Sequence, residues 1–222
     1  MRTYFLIMVV AALATFFSTL ITLRISQRYK IFPQIRARDV HTTPTPRLGG
    51  IGMFVGFAVA LGVAATIGWF ESVFAAPEHI YAILAAAFLI TTIGILDDMV
   101  DLDWSLKLAG QFLAAGILAW QGVQIVSLPI AGITIGSFGT SFIVTVFLTV
   151  LVMNAVNFID GLDGLVAGVV AIGTIVFFTY SYILAQQTSP TNYFNLASLI
   201  SAIVIGVCLG FLPLNWHRAK IF

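Results

Sequence analysis

The chain has 222 residues, of which 60% are hydrophobic and 9% carry a charge, and its net charge is +1. Because soluble domains carry about 25% charged residues, this composition excludes a soluble globular protein and predicts an all-α polytopic membrane protein. The near-neutral charge gives no indication of a nucleic-acid partner. The single cysteine, Cys208, excludes an intramolecular disulfide.

Seven apolar segments approach the length of about 20 residues that a membrane-spanning helix needs. The first predicts a retained helix rather than a signal peptide, because its apolar run is long and the stronger positive flank follows it. We therefore predict one transmembrane domain over residues 1–222. The segments are Tyr4–Leu23, Leu48–Phe70, Ile80–Leu96, Leu106–Trp120, Phe142–Val156, Leu165–Leu184 and Phe194–Leu212.

Lysine and arginine are distributed unevenly over this topology. Membrane proteins concentrate these residues in their cytoplasmic loops. With seven spans and the amino terminus outside, only Arg2 lies outside, and the other nine basic residues fall on the cytoplasmic side. The charges therefore predict that the polar clusters described below face the cytoplasm. The nine are Arg24, Arg28, Lys30, Arg36, Arg38, Arg47, Lys107, Arg218 and Lys220.

The loop after the fourth span, residues 121–141, contains no charged residue. It alternates weakly around Ile125–Pro129 and Ile133–Ser137, with Ala131 and Gly132 between them. This pattern predicts a small extracytoplasmic β-hairpin against the outer membrane surface. A disordered linker is the alternative, but the loop is too apolar to favour it.

The segment Asn154–Leu165 holds the densest polar pattern. Its polar side chains recur at every third position, and residues three apart lie near one another on a helix. Two glycines then loosen the helix, so we expect its carboxylates at a helix–loop junction. Two carboxylates with two amides suit a hard cation or a phosphate-bearing ligand, whereas an Asx-rich turn is the alternative. The four residues are Asn154, Asn157, Asp160 and Asp163.

A second acidic cluster ends the third span at Asp97, Asp98 and Asp101. Ionisable groups near membrane depth are costly, so they are candidates for function. Adjacent Asp97 and Asp98 repel each other when both ionise, and a bound cation or a raised pKa relieves the repulsion. The alternative is a solvated acidic helix end, and we interpret Asp103 as solvated surface.

Cationic residues share the predicted cytoplasmic layer with these carboxylates. Arg47 is a fork-shaped donor suited to phosphate, although it also serves as a topology signal. Lys107 precedes Gln111 by one helical turn, with an interfacial snorkelling lysine as the alternative. Carboxylates that hold Mg²⁺ and cations that hold phosphates favour phosphoryl transfer between a nucleotide-linked donor and a lipid. Transport would rather place charges near the midplane.

These motifs resemble the polyprenyl-phosphate N-acetylhexosamine-1-phosphate transferases, which form glycosyltransferase family 4. The resemblance covers nearly the whole chain. DDMVD and PRLGG are more similar to the branch that uses UDP-N-acetylglucosamine than to the peptidoglycan branch, whose donor is UDP-muramyl-pentapeptide. The motifs are HTTPTPRLGG (His41–Gly50), DDMVD (Asp97–Asp101), Lys107 with Gln111, and NAVNFIDGLDGL (Asn154–Leu165).

The resemblance implies a multi-pass enzyme of the bacterial plasma membrane whose active site faces the cytoplasm. It would transfer N-acetylglucosamine 1-phosphate from UDP-N-acetylglucosamine to undecaprenyl or decaprenyl phosphate and release UMP. This would be the first membrane step of lipopolysaccharide, teichoic acid or arabinogalactan synthesis. Mg²⁺ is the implied cofactor, with Mn²⁺ as a substitute. No nucleic-acid partner is implied, and a homodimer is left open.

The resemblance also assigns roles residue by residue. Asp97 would contact or deprotonate the lipid phosphate, Asp98 would support the metal site, and Lys107 would bind phosphate. Asn157, Asp160 and Asp163 would hold the nucleotide and the metal–diphosphate. The expected site is therefore catalytic at Asp97, Asp98 and Asp160; substrate-binding at Thr45, Arg47, Lys107, Asn154, Asn157 and Asp163; and metal-binding at Asp98 and Asp160.

The chain departs from the family pattern in its length. It stops just before the family's Met-Gly-Asp motif, whose aspartate is a main Mg²⁺ ligand. We therefore expect an N-terminal part of a longer transferase domain that is inactive by itself. Three alternatives remain: the same reaction with UDP-muramyl-pentapeptide, an intramembrane prenyltransferase, which DDMVD alone would fit, and a non-enzymatic transporter or scaffold fragment.

Overall fold

The computed structural model describes residues 1–29, 45–126, 137–188 and 194–222. Within these ranges the regular structure is helical and no strand is present. This confirms the predicted all-α polytopic class. The helices are α1 (Arg2–Tyr29), α2 (Gly49–Ala65), α3 (Glu71–Phe74), α4 (Pro77–Val100), α5 (Trp104–Trp120), α6 (Phe138–Ile159), α7 (Leu165–Thr188) and α8 (Leu196–Asn215), with a 3₁₀ turn at Gly68–Phe70.

Each of the seven predicted apolar segments is helical. In the described ranges, α1, α4, α6, α7 and α8 are long and apolar enough to cross a membrane. α2 and Gly68–Phe74 meet at a bend of 94° and form a sixth span if they are counted together. α5 has 17 residues, fewer than the about 20 that a straight crossing needs. The predicted hairpin falls largely on residues 127–136, which lie outside the described residues. His41 also lies outside them.

The observed helices extend beyond the predicted apolar limits. α1 continues past Leu23 to Tyr29 and includes Arg24 and Arg28. Basic side chains near a helix C-terminus interact favourably with its partial negative charge, so the helix need not end where the apolar run ends. The polar end of α1 therefore belongs to the helix.

The chain divides into two compact units. The first unit consists of Met1–Ala75 and Asp160–Phe222 and contains α1, α2, α3, α7 and α8. Within it, α1 packs against both α2 and α8, and α8 also packs against α7. The second unit is Ala76–Ile159, in which α5 packs against α4 and α6.

Glycines allow α1 and α2 to approach closely. Gly52 and Gly56 of α2 face Thr19 and Thr15 of α1, and a Cβ added to Gly56 would lie 2.8 Å from the Thr15 backbone nitrogen. The Ser18 hydroxyl donates a hydrogen bond across this contact to the Gly52 carbonyl at 2.8 Å. Lipid provides no hydrophobic force between helices, so van der Waals contact between small residues holds such a pair together.

The contact between α1 and α8 is also close because glycines lie at it. A Cβ added to Gly206 would lie 2.7 Å from the Ala11 Cβ, and one added to Gly210 would lie 2.8 Å from the Ala12 Cα. Most of α8 is consequently buried within the first unit. The ends of α8 are therefore placed by its packing against α1.

An aromatic cluster surrounds Tyr4 at one end of the first unit. The Tyr4 ring is fully buried and lies 5.3–5.4 Å from the rings of Phe70, Phe178 and Phe194, measured between centroids. Its hydroxyl accepts a hydrogen bond from the Asn195 N–H at 3.2 Å, just before α8 begins. The start of α1 is thereby attached to the start of α8.

We predict that Gly56→Ala destabilises the protein, because the added methyl group collides with Thr15. Overpacking of a close contact costs about 1–3 kcal/mol. Gly62→Ala on the same helix is the matched control, since no atom lies within 4 Å of its added Cβ. Thermal unfolding in detergent should show a lower midpoint only for Gly56→Ala. Equal midpoints for the two variants would contradict the described α1–α2 contact.

Candidate active site

The predicted site residues are distributed over both units, and each group is described by itself. The second unit holds the acidic cluster and the amides of α6. The first unit holds the loop before α2 and the turn before α7. The second unit thus contains Asp97, Asp98, Lys107, Asn154 and Asn157, and the first contains Thr45, Arg47, Asp160 and Asp163.

A left-handed residue joins α4 to α5 and brings Asp97 to Lys107. Asp101 has φ 51°, a conformation that aspartate tolerates better than most residues. Its N–H donates to the Asp97 carbonyl at 2.9 Å and so ends α4. After this reversal the Lys107 ammonium lies 2.7 Å from Asp97 Oδ1, which also accepts the Leu102 N–H at 3.0 Å.

The sequence did not predict this ion pair, because residues 97 and 107 lie on different helices. The repulsion between Asp97 and Asp98 predicted a bound cation or a raised pKa, and that expectation stays a prediction. The structure shows instead that the Lys107 ammonium offsets the charge of Asp97. The two paired side chains are 27% and 33% exposed, so screening by water keeps the energetic gain small. The pair therefore acts mainly by position, because it holds the Lys107 ammonium group against the Asp97 carboxylate at the end of α4.

Asp103 has a structural role beyond the solvated surface predicted for it. Its carboxylate caps the start of α5 by accepting the Ser105 N–H at 3.1 Å and the Ser105 hydroxyl. The Ser105 hydroxyl, and then the Ser105 N–H, hold the pKa of Asp103 below its ordinary value. The signal was present in the sequence as an aspartate immediately before a helix.

We predict that the cap of α5 weakens in acid. The pKa of Asp103 in the folded state lies below its ordinary value of 3.8. The ionised group therefore stabilises the start of α5 above that pH, and this contribution is lost as the pH falls below 3.8 and through the lowered pKa. Amide exchange at Ser105, corrected for its intrinsic pH dependence, should accelerate over that range.

Asp103→Asn is the control for this titration. An asparagine caps a helix as well as an aspartate does but does not titrate. Exchange at Ser105 in this variant should show no change over the same acid range. A variant that lost protection in parallel with the native protein would show that the carboxyl of Asp103 is not the group responsible.

An amide pair connects α5 to α6 one turn further along α5. The Asn154 Nδ2 donates to Gln111 Oε1 at 2.6 Å and to the Val150 carbonyl at 2.8 Å. Gln111 follows Lys107 by one turn. Lys107 contacts Asp97 of α4, and Gln111 contacts Asn154 of α6. Asn157, one turn beyond Asn154, is exposed. The described contacts give Asn154 a part in packing, and its predicted role in substrate binding stays a prediction.

The turn between α6 and α7 carries two carboxylates in different environments. Residues 160–164 are non-helical, which agrees with the predicted helix–loop junction. Asp160 is exposed to solvent, but partial desolvation by neighbouring protein atoms raises its pKa. Asp163 is 12% exposed, and its Oδ2 accepts the Ala219 N–H at 3.0 Å, with the His217 Nδ1 at 3.7 Å. Asp163 is thus tied to the backbone, while Asp160 is open.

The segment after α8, residues 216–222, connects this turn to the loop before α2. The Gly164 N–H donates to Asn215 Oδ1 at 3.0 Å, and the Asn215 Nδ2 donates to the Ile221 carbonyl at 3.0 Å. The Phe222 N–H then donates to the Pro46 carbonyl at 2.8 Å. The aspartate-bearing turn and the segment that contains Thr45 and Arg47 therefore meet at one end of the first unit.

Sequence analysis did not identify Asn215 or Ala219 as parts of this arrangement. Asn215 is a polar residue, 6% exposed, at the end of the apolar helix α8. A buried asparagine at such a position requires hydrogen-bond partners, and this was the available signal.

The next feature is the capacity of the described residues to hold a metal ion. They contain no group of three or more His, Cys, Asp or Glu side chains close enough to hold a metal ion. Mg²⁺ usually keeps several waters and binds through one or two carboxylates together with substrate phosphates. Asp98 in the second unit and Asp160 in the first each offer carboxylate oxygens of this kind, so each by itself has donor chemistry that fits Mg²⁺ bound to a phosphate ligand.

Comparison with known proteins gives consistent matches. Residues 80–222 match the family model of glycosyl transferase family 4. The chain is 37% identical over 226 residues to the decaprenyl-phosphate N-acetylglucosaminephosphotransferase of Mycobacterium leprae (strain TN), covering 100% of this chain and 57% of that protein. It is 33% identical over 216 residues to the probable undecaprenyl-phosphate N-acetylglucosaminyl 1-phosphate transferase of Bacillus subtilis (strain 168), covering 96% of this chain and 56% of that protein.

A third relative belongs to another branch. The phospho-N-acetylmuramoyl-pentapeptide-transferase of Desulforamulus reducens (strain ATCC BAA-1160 / DSM 100696 / MI-1) is 32% identical over 222 residues, covering 91% of this chain and 63% of that protein. The chain therefore spans little more than half the length of these curated relatives.

By its fold and these residues, the chain is a polytopic helical membrane protein that carries carboxylates, amides and cations at its helix ends. Within that class, the chain belongs to glycosyl transferase family 4. The family predicted from the motifs is thereby confirmed.

Proposed function

We propose that the protein transfers N-acetylglucosamine 1-phosphate from UDP-N-acetylglucosamine to undecaprenyl or decaprenyl phosphate and releases UMP. The observation that carries this proposal is the 37% identity, over the whole chain, to a relative named as a decaprenyl-phosphate N-acetylglucosaminephosphotransferase. The reaction would begin a cell-envelope polysaccharide. We propose that the active site faces the cytoplasm at a bacterial plasma membrane and that the amino terminus lies outside. The protein could work as a monomer or as a homodimer.

The chemistry we propose is a single displacement at phosphorus. An oxygen of the lipid phosphate attacks the β-phosphorus of the donor, and the bond from that phosphorus to the oxygen shared with the α-phosphate breaks. UMP leaves with the bonding electrons, and the lipid carries a diphosphate linked to the sugar. Such reactions depend mainly on positioning and on neutralising charge.

The Asp97–Lys107 pair supports a role in binding the lipid phosphate. Lys107 offers an ammonium group that an incoming phosphate can share or take over from Asp97, because both side chains are partly exposed. Since the second pKa of a phosphate monoester is about 6, part of the acceptor carries a proton near neutral pH. In this proposal Asp97 would accept that proton once Lys107 pairs with the phosphate.

The remaining residues are proposed to hold the donor. Asn157, Asp160 and Asp163, with Asn154, lie on the segment assigned to the nucleotide and the diphosphate, and Thr45 and Arg47 supply further donors. Asp98 and Asp160 are each proposed as carboxylate ligands of Mg²⁺, or of Mn²⁺ in its place, which would neutralise charge on the diphosphate. Asp163 contributes by shaping the turn that presents Asp160.

A second donor is kept as an alternative because a specific observation favours it. The relative from Desulforamulus reducens is 32% identical and is named as a phospho-N-acetylmuramoyl-pentapeptide-transferase. UDP-muramyl-pentapeptide would enter the same displacement with a larger sugar. The higher identity to the N-acetylglucosamine relatives, together with DDMVD and PRLGG, favours UDP-N-acetylglucosamine.

The test supplies the protein at its natural length, in lipid nanodiscs, with undecaprenyl phosphate and one radiolabelled donor at a time. We expect a lipid-linked product from UDP-N-acetylglucosamine, only when Mg²⁺ or Mn²⁺ is present. Asp98→Asn should lower kcat/KM by at least about a hundredfold, as does the loss of other groups that stabilise transition-state charge. Asp103→Asn is the matched control and should retain activity, because Asp103 acts as a helix cap.

Two results would contradict this proposal. Equal losses in Asp98→Asn and Asp103→Asn would mean that the acidic cluster acts through its bulk charge. Product formed from UDP-muramyl-pentapeptide or from a prenyl diphosphate, and none from UDP-N-acetylglucosamine, would replace the proposed reaction with one of the alternatives.

A further inference from the structure

The carboxamide of Asn215 makes two hydrogen bonds in opposite directions. Its oxygen accepts the Gly164 N–H at 3.0 Å, and its nitrogen donates to the Ile221 carbonyl at 3.0 Å. Both bonds are buried. An amide is the side-chain group that offers an acceptor and a donor from one rigid plane, so a residue of another type leaves at least one of these backbone groups unsatisfied.

Gly164 has a left-handed backbone conformation, and its hydrogen bond to Asn215 helps to hold that conformation. Its φ is +69°, a left-handed conformation that residues with a Cβ rarely adopt. A Cβ there would lie 3.4 Å from Trp216 and 3.5 Å from Leu212, so α8 and the residue after it cover the turn. The bond from Gly164 to Asn215 therefore fixes the last residue of the aspartate-bearing turn against the end of α8.

The other bond of Asn215 acts on the segment after α8. Ile221 is fully buried beside Leu23, Ala167 and Leu214, which anchors residues 216–222 on the core. From this segment the Ala219 N–H reaches Asp163, and the Phe222 N–H and carbonyl pair with the Pro46 carbonyl and the Gly49 N–H at 2.8 and 2.6 Å. One side chain thus connects the turn, the segment and the loop before α2.

We infer that Asn215 is a positioning residue for the reaction proposed above, on which this inference rests. It sets the position of the turn at residues 160–164 relative to the segment that carries Thr45 and Arg47. Because Asp160 lies on that turn, the geometry of the donor site depends on a residue that lies behind it.

The test compares Asn215→Ala and Asn215→Asp with a structural control, Asn195→Ala. Asn195 also lies at an end of α8, where its Oδ1 accepts the Ser198 N–H at 2.8 Å. Amide exchange at Gly164, steady-state kinetics with UDP-N-acetylglucosamine and thermal unfolding are measured on each, with the protein at its natural length.

We expect Asn215→Ala to accelerate exchange at Gly164 and to raise the KM for the donor, each about tenfold, as for the loss of one buried hydrogen bond. Asn215→Asp keeps the acceptor for Gly164 and loses the donor for Ile221. It should leave Gly164 protected and accelerate exchange at Phe222. Asn195→Ala should lower the unfolding midpoint without changing either Gly164 exchange or KM.

Several results would overturn the inference. Unchanged exchange at Gly164 in Asn215→Ala would remove its physical basis, and an equal rise of KM in Asn195→Ala would reduce Asn215 to a general structural role. If Asn215→Ala does not fold, faster exchange at Gly164 in Asn215→Asp, with Phe222 unaffected, contradicts the assignment of the two bonds. Absence of turnover in the native protein with UDP-N-acetylglucosamine contradicts the proposed function. The exchange measurements then still decide whether Asn215 positions the turn.

Discussion

The close approach of α1 to α2 and α8 is the contact on which the first unit depends. Gly206 and Gly210 leave no room for a Cβ against α1, and Gly52 and Gly56 leave none on the α2 side. In lipid this contact is held by packing, since no water is released when two apolar helices meet. A displacement of α8 by the width of a methyl group would move Asn215 away from Gly164 and loosen the aspartate-bearing turn. The geometry of the candidate turn therefore depends on these close glycine contacts between helices.

The carboxylates of the candidate site lie at helix ends or in the turn between helices, where their charge is least costly. Asp97 is partly exposed and paired with Lys107, and Asp103 caps α5. Asp163, the more buried carboxylate, accepts a backbone N–H from residue 219. Burial of a carboxylate is tolerated when hydrogen bonds or a cation compensate for the lost hydration. Asp160 is open instead, which is the condition that a ligand for Mg²⁺ or a diphosphate requires.

Among the described residues, the apolar pattern predicted all six candidate spans, because about 20 consecutive apolar residues have few other structures available to them in a bilayer. It also predicted a span at α5, which is helical but shorter than a straight crossing needs. The glycines at 161 and 164 likewise predicted the junction before α7. What could not be predicted came from tertiary geometry. The Asp97–Lys107 pair requires the left-handed residue at Asp101, which redirects α5 toward α4. The link between Pro46 and the turn before α7 runs through backbone groups of residues 221 and 222, and backbone hydrogen bonds leave no pattern in the side chains.

The central claim is that a phosphorus–oxygen bond of the donor breaks, so that the sugar moves together with its phosphate. A donor with radioactive phosphorus in the β position tests this claim directly in the protein at its natural length, with undecaprenyl phosphate as acceptor. The account predicts that the label moves to the lipid fraction in a one-to-one ratio with the sugar while unlabelled UMP is released. Label retained in a water-soluble nucleotide as UDP, with the sugar alone on the lipid, would contradict it.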